Sequence, residues 1–439
     1  MLIIAKRGKE NLVRAIFEKW DVPCVEIGRV TDDGMMRVRD NGAIAAEIPA
    51  KALADEAPLY SREANPAVAR SDDRGLTNLP TIDNHEALRQ LLRDPTIASK
   101  NWVYRQYDHT VRTGTIVKPG SDAAVFFVHY ANKILAATTD CNSLYCALDP
   151  REGGKIAVAE AARNLTCSGA MPLAITNCLN FGNPYKPENF WQMREAVEGV
   201  AEACRTFGTP VTGGNVSLYN ESPAGVVDPT PTIGMVGLID KEEHITTQWF
   251  KNNGDTIILV GETAENDALG CSLGGSRYLK ICHGLKFGPP PHVDLVHEIE
   301  IQNVVRDLIR EGVVKSAHDC SEGGLSVALA ECCFNPENLF GAEIDLNAGD
   351  TPATTVLFNE QQSRIVISVA PQNLQKTMSI LQKRRVPFQQ LGKVGGDQLS
   401  IRIGNEKFSW PVADLYDDWW NAIRRTVESD SAAEGIPSL

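Results

Sequence analysis

The sequence lacks any apolar run near the roughly 20 residues that cross a bilayer, so no transmembrane helix is expected. It opens on MLIIAKR, which reads as a short strand and not as a signal peptide. Basic residues are in deficit, 43 Lys and Arg against 56 Asp and Glu, and a net charge of −13 argues against a nucleic-acid partner. A nucleotide-sized anion remains compatible with that field if local N–H groups and Mg²⁺ hold it. The eleven cysteines are odd in number and without CxxC spacing, as expected for the reduced thiols of a cytoplasmic protein. Cys332 and Cys333 fall on an apolar helix and read as core. There is no Walker A loop: Gly153-Gly154-Lys155 lacks the leading glycine spacing and the Ser/Thr. Gly270-Cys271-Ser272-Leu273-Gly274 has the letters of a nucleophile elbow, but the polar run at 262–267 before it is no strand, so a glycine-rich loop is expected.

What is present describes a globular chain of two or three domains, 43% hydrophobic and 23% charged over 439 residues. Periodicity predicts strands at 2–6, 24–30 and 34–39 and a helix at 9–20. Residues 55–100 turn polar and proline-bearing, as a linker wrapping another domain would, with one helix at 85–93. From 102 onward the pattern predicts strand-turn-strand at 116–128, a strand and loop at 134–142 and helices at 153–169 and 190–204. A closing strand follows at 231–240. A third stretch holds a strand at 256–261, a helix at 293–311, a loop at 316–324, a helix at 325–334, strands within 354–369 and a helix at 373–384. Helix follows strand irregularly, which points to an α+β class.

The sequence also repeats itself. Setting residue n against n+364 from Ile16 to Asp33 gives seven identities in eighteen positions, including Val22/Val386, Pro23/Pro387, Gly28/Gly392 and Val30/Val394. LIIA at 2–5 echoes IVIS at 365–368, one residue out of register. A strand-helix-strand remnant cannot bury its apolar face alone, so it either packs on the rest of the chain or belongs to a longer duplicated protein, the reading favoured here.

The chemistry gathers in two polar-glycine stretches, NCLNFGNP at 177–184 and VTGGNVSLYNE at 211–221. Gly213 and Gly214 can turn successive N–H groups around an anion, and Asn215 and Ser217 offer neutral oxygens of the kind Mg²⁺ or a phosphate accepts. A hairpin turn explains the same residues. His318-Asp319 is the nearest approach to a catalytic His-Asp pair, although a satisfied loop histidine is the stronger reading. Lys118, beside Pro119-Gly120, reads as a solvated turn lysine.

In this order, VYRQYDHTVRTGTIVKPGSDAAV (103–125), TTDCN (138–142), LDPREGGKIAVAEAARNL (148–165), CLNFGNPYKPENFW (178–191), TPVTGGNVSLYNE (209–221) and SAHDCSEGGLSVALAE (316–331) resemble phosphoribosylformylglycinamidine synthase. The likeness is to the short, separate-glutaminase synthetase subunit, within the wider aminoimidazole-ribonucleotide synthetase-like superfamily. It implies an α+β fold of an ATP-binding domain followed by its α+β C-terminal domain, preceded by the tail of a duplicated first copy. The implied boundaries are 1–54 for that tail, 55–100 for the linker, 101–245 and 246–415 for the second domain pair, and 416–439 for a C-terminal helix and frayed tail.

The resemblance further implies a ligase that uses ATP and Mg²⁺ to convert formylglycinamide ribonucleotide and glutamine-derived ammonia to the amidine in purine biosynthesis. Its partners would be a glutaminase subunit, a small bridging subunit, and the first domain pair or a second copy of this chain. By the family pattern Asn177 and Gly214 contact ATP, Asn215 binds Mg²⁺ and Ser217 contacts substrate. Asn177 departs from an aspartate common in the family, so metal ligation is not expected there. The family's catalytic histidines belong to the first pair, so the synthetase is expected to be incomplete in this chain. Asp140, Glu160, Asn164 and Asp319 resemble a second, auxiliary nucleotide site. A catalytically inactive nucleotide-binding structural or regulatory module is the alternative function.

Overall fold

The computed structural model describes residues 2–66, 79–262, 273–347 and 349–433. It separates two compact units, Met1–Arg62 and Glu63–Leu439. The first contains helix α1 (Glu10–Lys19), the antiparallel hairpin β1 (Met35–Asp40) and β2 (Ala43–Pro49), and the single turn α2 (Ala50–Leu53). The strands expected at 2–6 and 24–30 are not formed; both stretches lie outside any ladder. Their apolar residues stand in solvent within this unit, with Ile27 82% and Val30 78% exposed. A strand without hydrogen-bonding neighbours gains nothing from its β-propensity.

The second unit opens with α3 (Asn84–Arg93) and α4 (Asn101–Tyr104). α3 is the helix expected at 85–93 within the linker stretch, and it packs into the core. Asp83 caps it by accepting from the His85 N–H, and Ala87, Leu88, Leu91 and Leu92 are fully buried in the largest hydrophobic core. Residues 67–78 of the expected linker lie outside the described residues.

Next come β3 (Thr115–Val117), β4 (Ala124–Val128), β5 (Lys133–Asp140), α5 (Ser143–Leu148), α6 (Pro150–Cys167), β6 (Met171–Asn180), α7 (Pro187–Phe207) and β7 (Val211–Ser217). The ribbon β8 (Glu221–Ser222)/β9 (Gly225–Val226) leads to β10 (Thr230–Ile239). Six strands form one sheet in the order β3-β4-β5-β10-β6-β7, and only β6 and β7 run parallel. β10 alternates buried and less buried residues, the mark of a sheet covered on one face. α6 and α7 cover that face. The Asp149 side chain caps α6, Pro150 takes its first position, and the helix is buried on nearly every side. Gly154 and Gly199 let the two helices touch, since a Cβ at either would collide with a carbonyl oxygen of the other helix, Ala196 and Arg151 respectively. The glycine pair that fails as a phosphate loop therefore has a packing role.

The remainder holds β11 (Thr256–Val260), α8 (Arg277–His283), α9 (Leu295–Arg310), β12 (Val314–Asp319), α10 (Gly324–Cys333), β13 (Ala342–Leu346), α11 (Ala353–Phe358) and β14 (Ile365–Val369). α12 (Leu374–Arg384), β15 (Phe388–Val394), β16 (Gln398–Ile403), β17 (Glu406–Pro411) and α13 (Val412–Ala433) complete it. The seven-stranded sheet runs β12-β14-β11-β15-β13-β16-β17. Its central strands β11 and β14 are buried at every position because helices cover both faces. They accordingly read as continuous apolar runs. Two expectations are corrected here. Residues 316–319 belong to strand β12, and 353–358 form a helix where a strand was expected. Gly270, Cys271 and Ser272 lie outside the described residues, as do residues 434–439 of the expected tail. The architecture is α+β.

Candidate functional site

The two polar-glycine stretches come together as neighbouring parallel strands. Asn177 is in register with Gly214, Cys178 with Asn215, and Asn180 with Ser217. The expected anion-cradling loop at 213–214 is instead the middle of β7, a wholly extended edge strand, and neither glycine adopts a positive φ. What requires glycine at 214 is Asn177: a Cβ there would lie 2.6 Å from the Asn177 carbonyl oxygen and 3.0 Å from its Cγ.

Strand alternation divides the four candidate residues between two faces. Asn177 pairs across β10 with buried Ile233, so Asn177 and Gly214 point toward the helix-covered side. Asn215 and Ser217, two residues apart, point to the open side with Thr176, Cys178 and Asn180. There the Asn215 amide lies 3.8 Å from Cys178 Sγ, and Ser217 Oγ donates to Asn220 Oδ1 at 3.2 Å. Glu221 fixes the strand ends: Oε1 accepts from the Asn183 N–H at 2.8 Å and Oε2 pairs with Lys186 at 2.6 Å. Asn215 is exposed. As a donor set, amides and a hydroxyl fit contacts to phosphate and one neutral ligand to Mg²⁺, and they add no charged ligand.

A second polar cluster is buried where the two sheets of this unit meet. The Asn164 amide donates to Asp140 Oδ1 at 2.7 Å, Thr138 Oγ1 donates to Asp140 Oδ2 at 2.9 Å, and the Asn142 amide donates to Glu322 at 3.3 Å. Burial, and then repulsion from Glu322, Asp319 and Asp140, push the Glu160 carboxyl well above its ordinary range. Asp140 and Asp319 are pushed up mainly by burial as well. Fully buried Arg163 answers part of this charge, donating to Glu298 at 2.9 Å and to Gln362 at 3.1 Å, and lying 3.5 Å from Asp319. The cluster thus brings together Asp140, Glu160, Asn164 and Asp319.

Sequence reasoning missed several members of this seam. Asp122, in the turn before β4, meets His318 Nδ1 at 2.7 Å across 196 residues of chain, a separation no local motif announces. Glu322 and Glu360 were missed too. The Glu360 carboxylate accepts the Arg277 and Gly323 N–H groups at 2.8 and 2.7 Å and the Tyr145 hydroxyl. His318 is buried with both ring nitrogens partnered, the satisfied histidine that was expected, although on a strand. Lys118 is exposed.

The chain is 46% identical over 427 residues to the phosphoribosylformylglycinamidine synthase subunit PurL of Moorella thermoacetica, covering 96% of this chain and 57% of that protein. It is 45% identical over 434 residues to the PurL subunit of Alkaliphilus metalliredigens, covering 98% of this chain and 58% of the relative. The chain therefore spans somewhat over half the length of these curated relatives. Among solved structures it resembles Thermotoga maritima PurL complexed with FGAR at a TM-score of 0.58 and 18% identity, over 78% of this chain and 55% of that one. The T. maritima PurLQS structure matches at a TM-score of 0.53 and 22% identity, over 83% of this chain and 50% of the other. At those identities the structures speak for the fold. Residues 120–239 match the AIR synthase related protein N-terminal domain and residues 252–404 its C-terminal domain, so the chain carries a match to each of the two domains, in order.

Proposed function

We propose that this chain works in the ATP-dependent ligation that turns formylglycinamide ribonucleotide and ammonia into formylglycinamidine ribonucleotide, forming one wall of the cleft for ATP, Mg²⁺ and substrate. The observation that carries the reading is the β6–β7 pair, which sets Asn177 against Gly214 and presents Asn215 and Ser217 on one open face. The names of the 45–46% identical relatives support it, as do fold neighbours solved with FGAR and with ATP. Bound ATP would activate the amide oxygen as a phosphate leaving group, with Mg²⁺ spreading the phosphate charge. This chain's part is positioning. Asn215 gives Mg²⁺ a neutral oxygen and Ser217 orients substrate from the open face, while Asn177, turned to the other face of the strand pair, holds nucleotide at the exposed β7 edge.

Among the described residues that exposed face offers amides and a hydroxyl without a general base or a charged metal ligand, and the reading therefore includes a partner surface: another domain pair of the family or a second copy of this chain. Ammonia would come from a glutaminase subunit, with a small bridging subunit in the complex, in the cytoplasm. Residues 1–54 fit the same reading as a copy of the end of the C-terminal-type domain, followed by the linker and the second domain pair.

The test is amidine formation by the 439-residue chain with ammonia, ATP, Mg²⁺ and formylglycinamide ribonucleotide, alongside calorimetric titration with ATP and ADP. Nucleotide binding weakened by Asn177→Ala, with little turnover by the chain alone, is expected. Robust turnover by the isolated chain overturns the partial-wall reading. The buried Asp140–Glu160–Asn164–Asp319 cluster favours a second reading, a nucleotide-binding regulatory module. It predicts tight ADP binding that Asp140→Asn abolishes and Asn177→Ala spares.

A further inference from the structure

Among the described residues, one group of three His, Cys, Asp or Glu side chains brings its donor atoms all within 4.8 Å of one another: Asp122, His318 and Asp319. They join the two sheets of the second unit, Asp122 from the turn before β4 and the other two from the end of β12. His318 Nδ1 lies 2.7 Å from Asp122 Oδ1 and 3.9 Å from Asp319 Oδ1. Those separations bracket the roughly 3.0–3.4 Å between neighbouring ligands on an ion bound at about 2.1 Å. On the far side of the ring, Nε2 lies 3.2 Å from Glu331 Oε2. A carboxylate behind the distal nitrogen is the arrangement that fixes the tautomer and orientation of metal-binding histidines.

An ion-pair clamp explains only part of this. The Asp122 side chain is 1% exposed, yet its Oδ2 has no hydrogen-bond partner. Asp319 Oδ2 also has none, its nearest cation being Arg163 Nε at 3.5 Å. Buried carboxylates left short of donors are costly, and a dication shared by the two side chains would offset that cost. We propose that Asp122, His318 and Asp319 form a binding site for a Zn²⁺-class dication, held in orientation by Glu331 and tying the two sheets together. Imidazole selects such ions over Mg²⁺, so this site differs in ligand chemistry from the all-oxygen Asp140–Glu160–Asn164–Asp319 cluster, with which it shares Asp319, and it stands whether or not the ligase reading holds.

The test uses the whole chain, stripped with chelator and titrated with Co²⁺ as a coloured stand-in for Zn²⁺. The expected result is one Co²⁺ per chain, with visible d–d absorption that Zn²⁺ abolishes by displacement and excess Mg²⁺ does not. Asp122→Asn and His318→Gln should each lose the spectrum. Glu331→Gln, which keeps all three ligands, should weaken binding by about 10- to 100-fold. Asp140→Asn should leave it intact. No uptake, an unchanged titration in Asp122→Asn or His318→Gln, or loss confined to Asp140→Asn overturns the proposal. Circular dichroism of each stripped variant confirms folding. Should His318→Gln misfold, Asp122→Asn and Glu331→Gln decide the matter.

Discussion

Two adjacent glycines in β7 should respond to alanine in opposite ways. Gly213 and Gly214 are both extended, so neither substitution strains φ. At 213 a Cβ meets nothing within 4 Å, whereas at 214 it lies 2.6 Å from the Asn177 carbonyl oxygen, which is backbone and cannot rotate away. Overpacking of that kind costs about 1–3 kcal/mol, while a Gly→Ala change without a clash gains roughly 0.5–1 kcal/mol from the unfolded chain. β7 has a strand partner on one side only, so the strain is relieved by peeling it from β6 without global unfolding. Hydrogen exchange of the 211–217 amides, followed by mass spectrometry, should accelerate by about 5- to 150-fold in Gly214→Ala. In Gly213→Ala it should slow or hold. Nucleotide affinity should fall in Gly214→Ala alone if Asn177 contacts ATP. Equal exchange in the two variants would refute the claim that the glycine at 214 exists to admit Asn177.

Three further outcomes follow from the buried groups. Leu88→Ala in α3, where Leu88 is fully buried, should cost about 2–5 kcal/mol in thermal or urea unfolding, and a cost below about 0.5 kcal/mol would return this helix to linker status. Arg163→Met leaves Glu298 buried and unpaired and should cost about 3–5 kcal/mol, whereas Arg163→Met with Glu298→Met should recover much of it; additive losses would contradict the pairing. Burial lifts the Glu360 carboxyl from its ordinary 4.5 to about 7. Between those values the folded chain holds a proton that the unfolded chain releases, so this group's contribution to stability is full below 4.5 and lost as pH rises through about 7. Glu360→Gln keeps an oxygen for the Arg277 and Gly323 N–H groups, so its stability relative to wild type should rise between pH 5 and 8 in denaturant titrations.

Legibility in the sequence tracked how local each determinant was. Apolar patterning placed α6 and α7 to within a few residues, and the ends it left out carry local signals that act on their own helices, Asp149-Pro150 and Gly208. The α+β class followed from the order of elements. The β6 and β7 stretches were singled out for their asparagines and glycines, but their conformation was misread. Gly-Gly-Asn is ordinary turn material, and only the approach of Asn177 from a parallel neighbour makes it a strand. α11 was misread as strand because TTVLF is β-branched and apolar, and burial against the core carried more weight than propensity. The seam cluster was half legible. Glu160 and Asn164 sit four apart on one helix face, whereas Asp122 meets His318, and Glu360 meets Tyr145, only through the tertiary fold.

The 364-residue repeat isolates what tertiary context adds to one pattern. The offset carries α1 onto 374–383 within α12, and 35–40 and 43–49 onto the stretches of β16 and β17, so the helix and the hairpin form in both places. It also carries 24–30 onto 388–394, which is β15, yet 24–30 forms no strand. Val394 is 2% exposed and its counterpart Val30 78%; Leu391 is 1% exposed and Ile27 82%. The helix and the hairpin are closed by contacts within a few residues, so each stretch makes its own. β15 is held between β11 and β13, whose residues come from far along the chain, and within Met1–Arg62 no equivalents flank 24–30. Alternating apolar residues therefore encode a capacity to pair, and the strand exists only where two neighbours supply the other half of its hydrogen bonds.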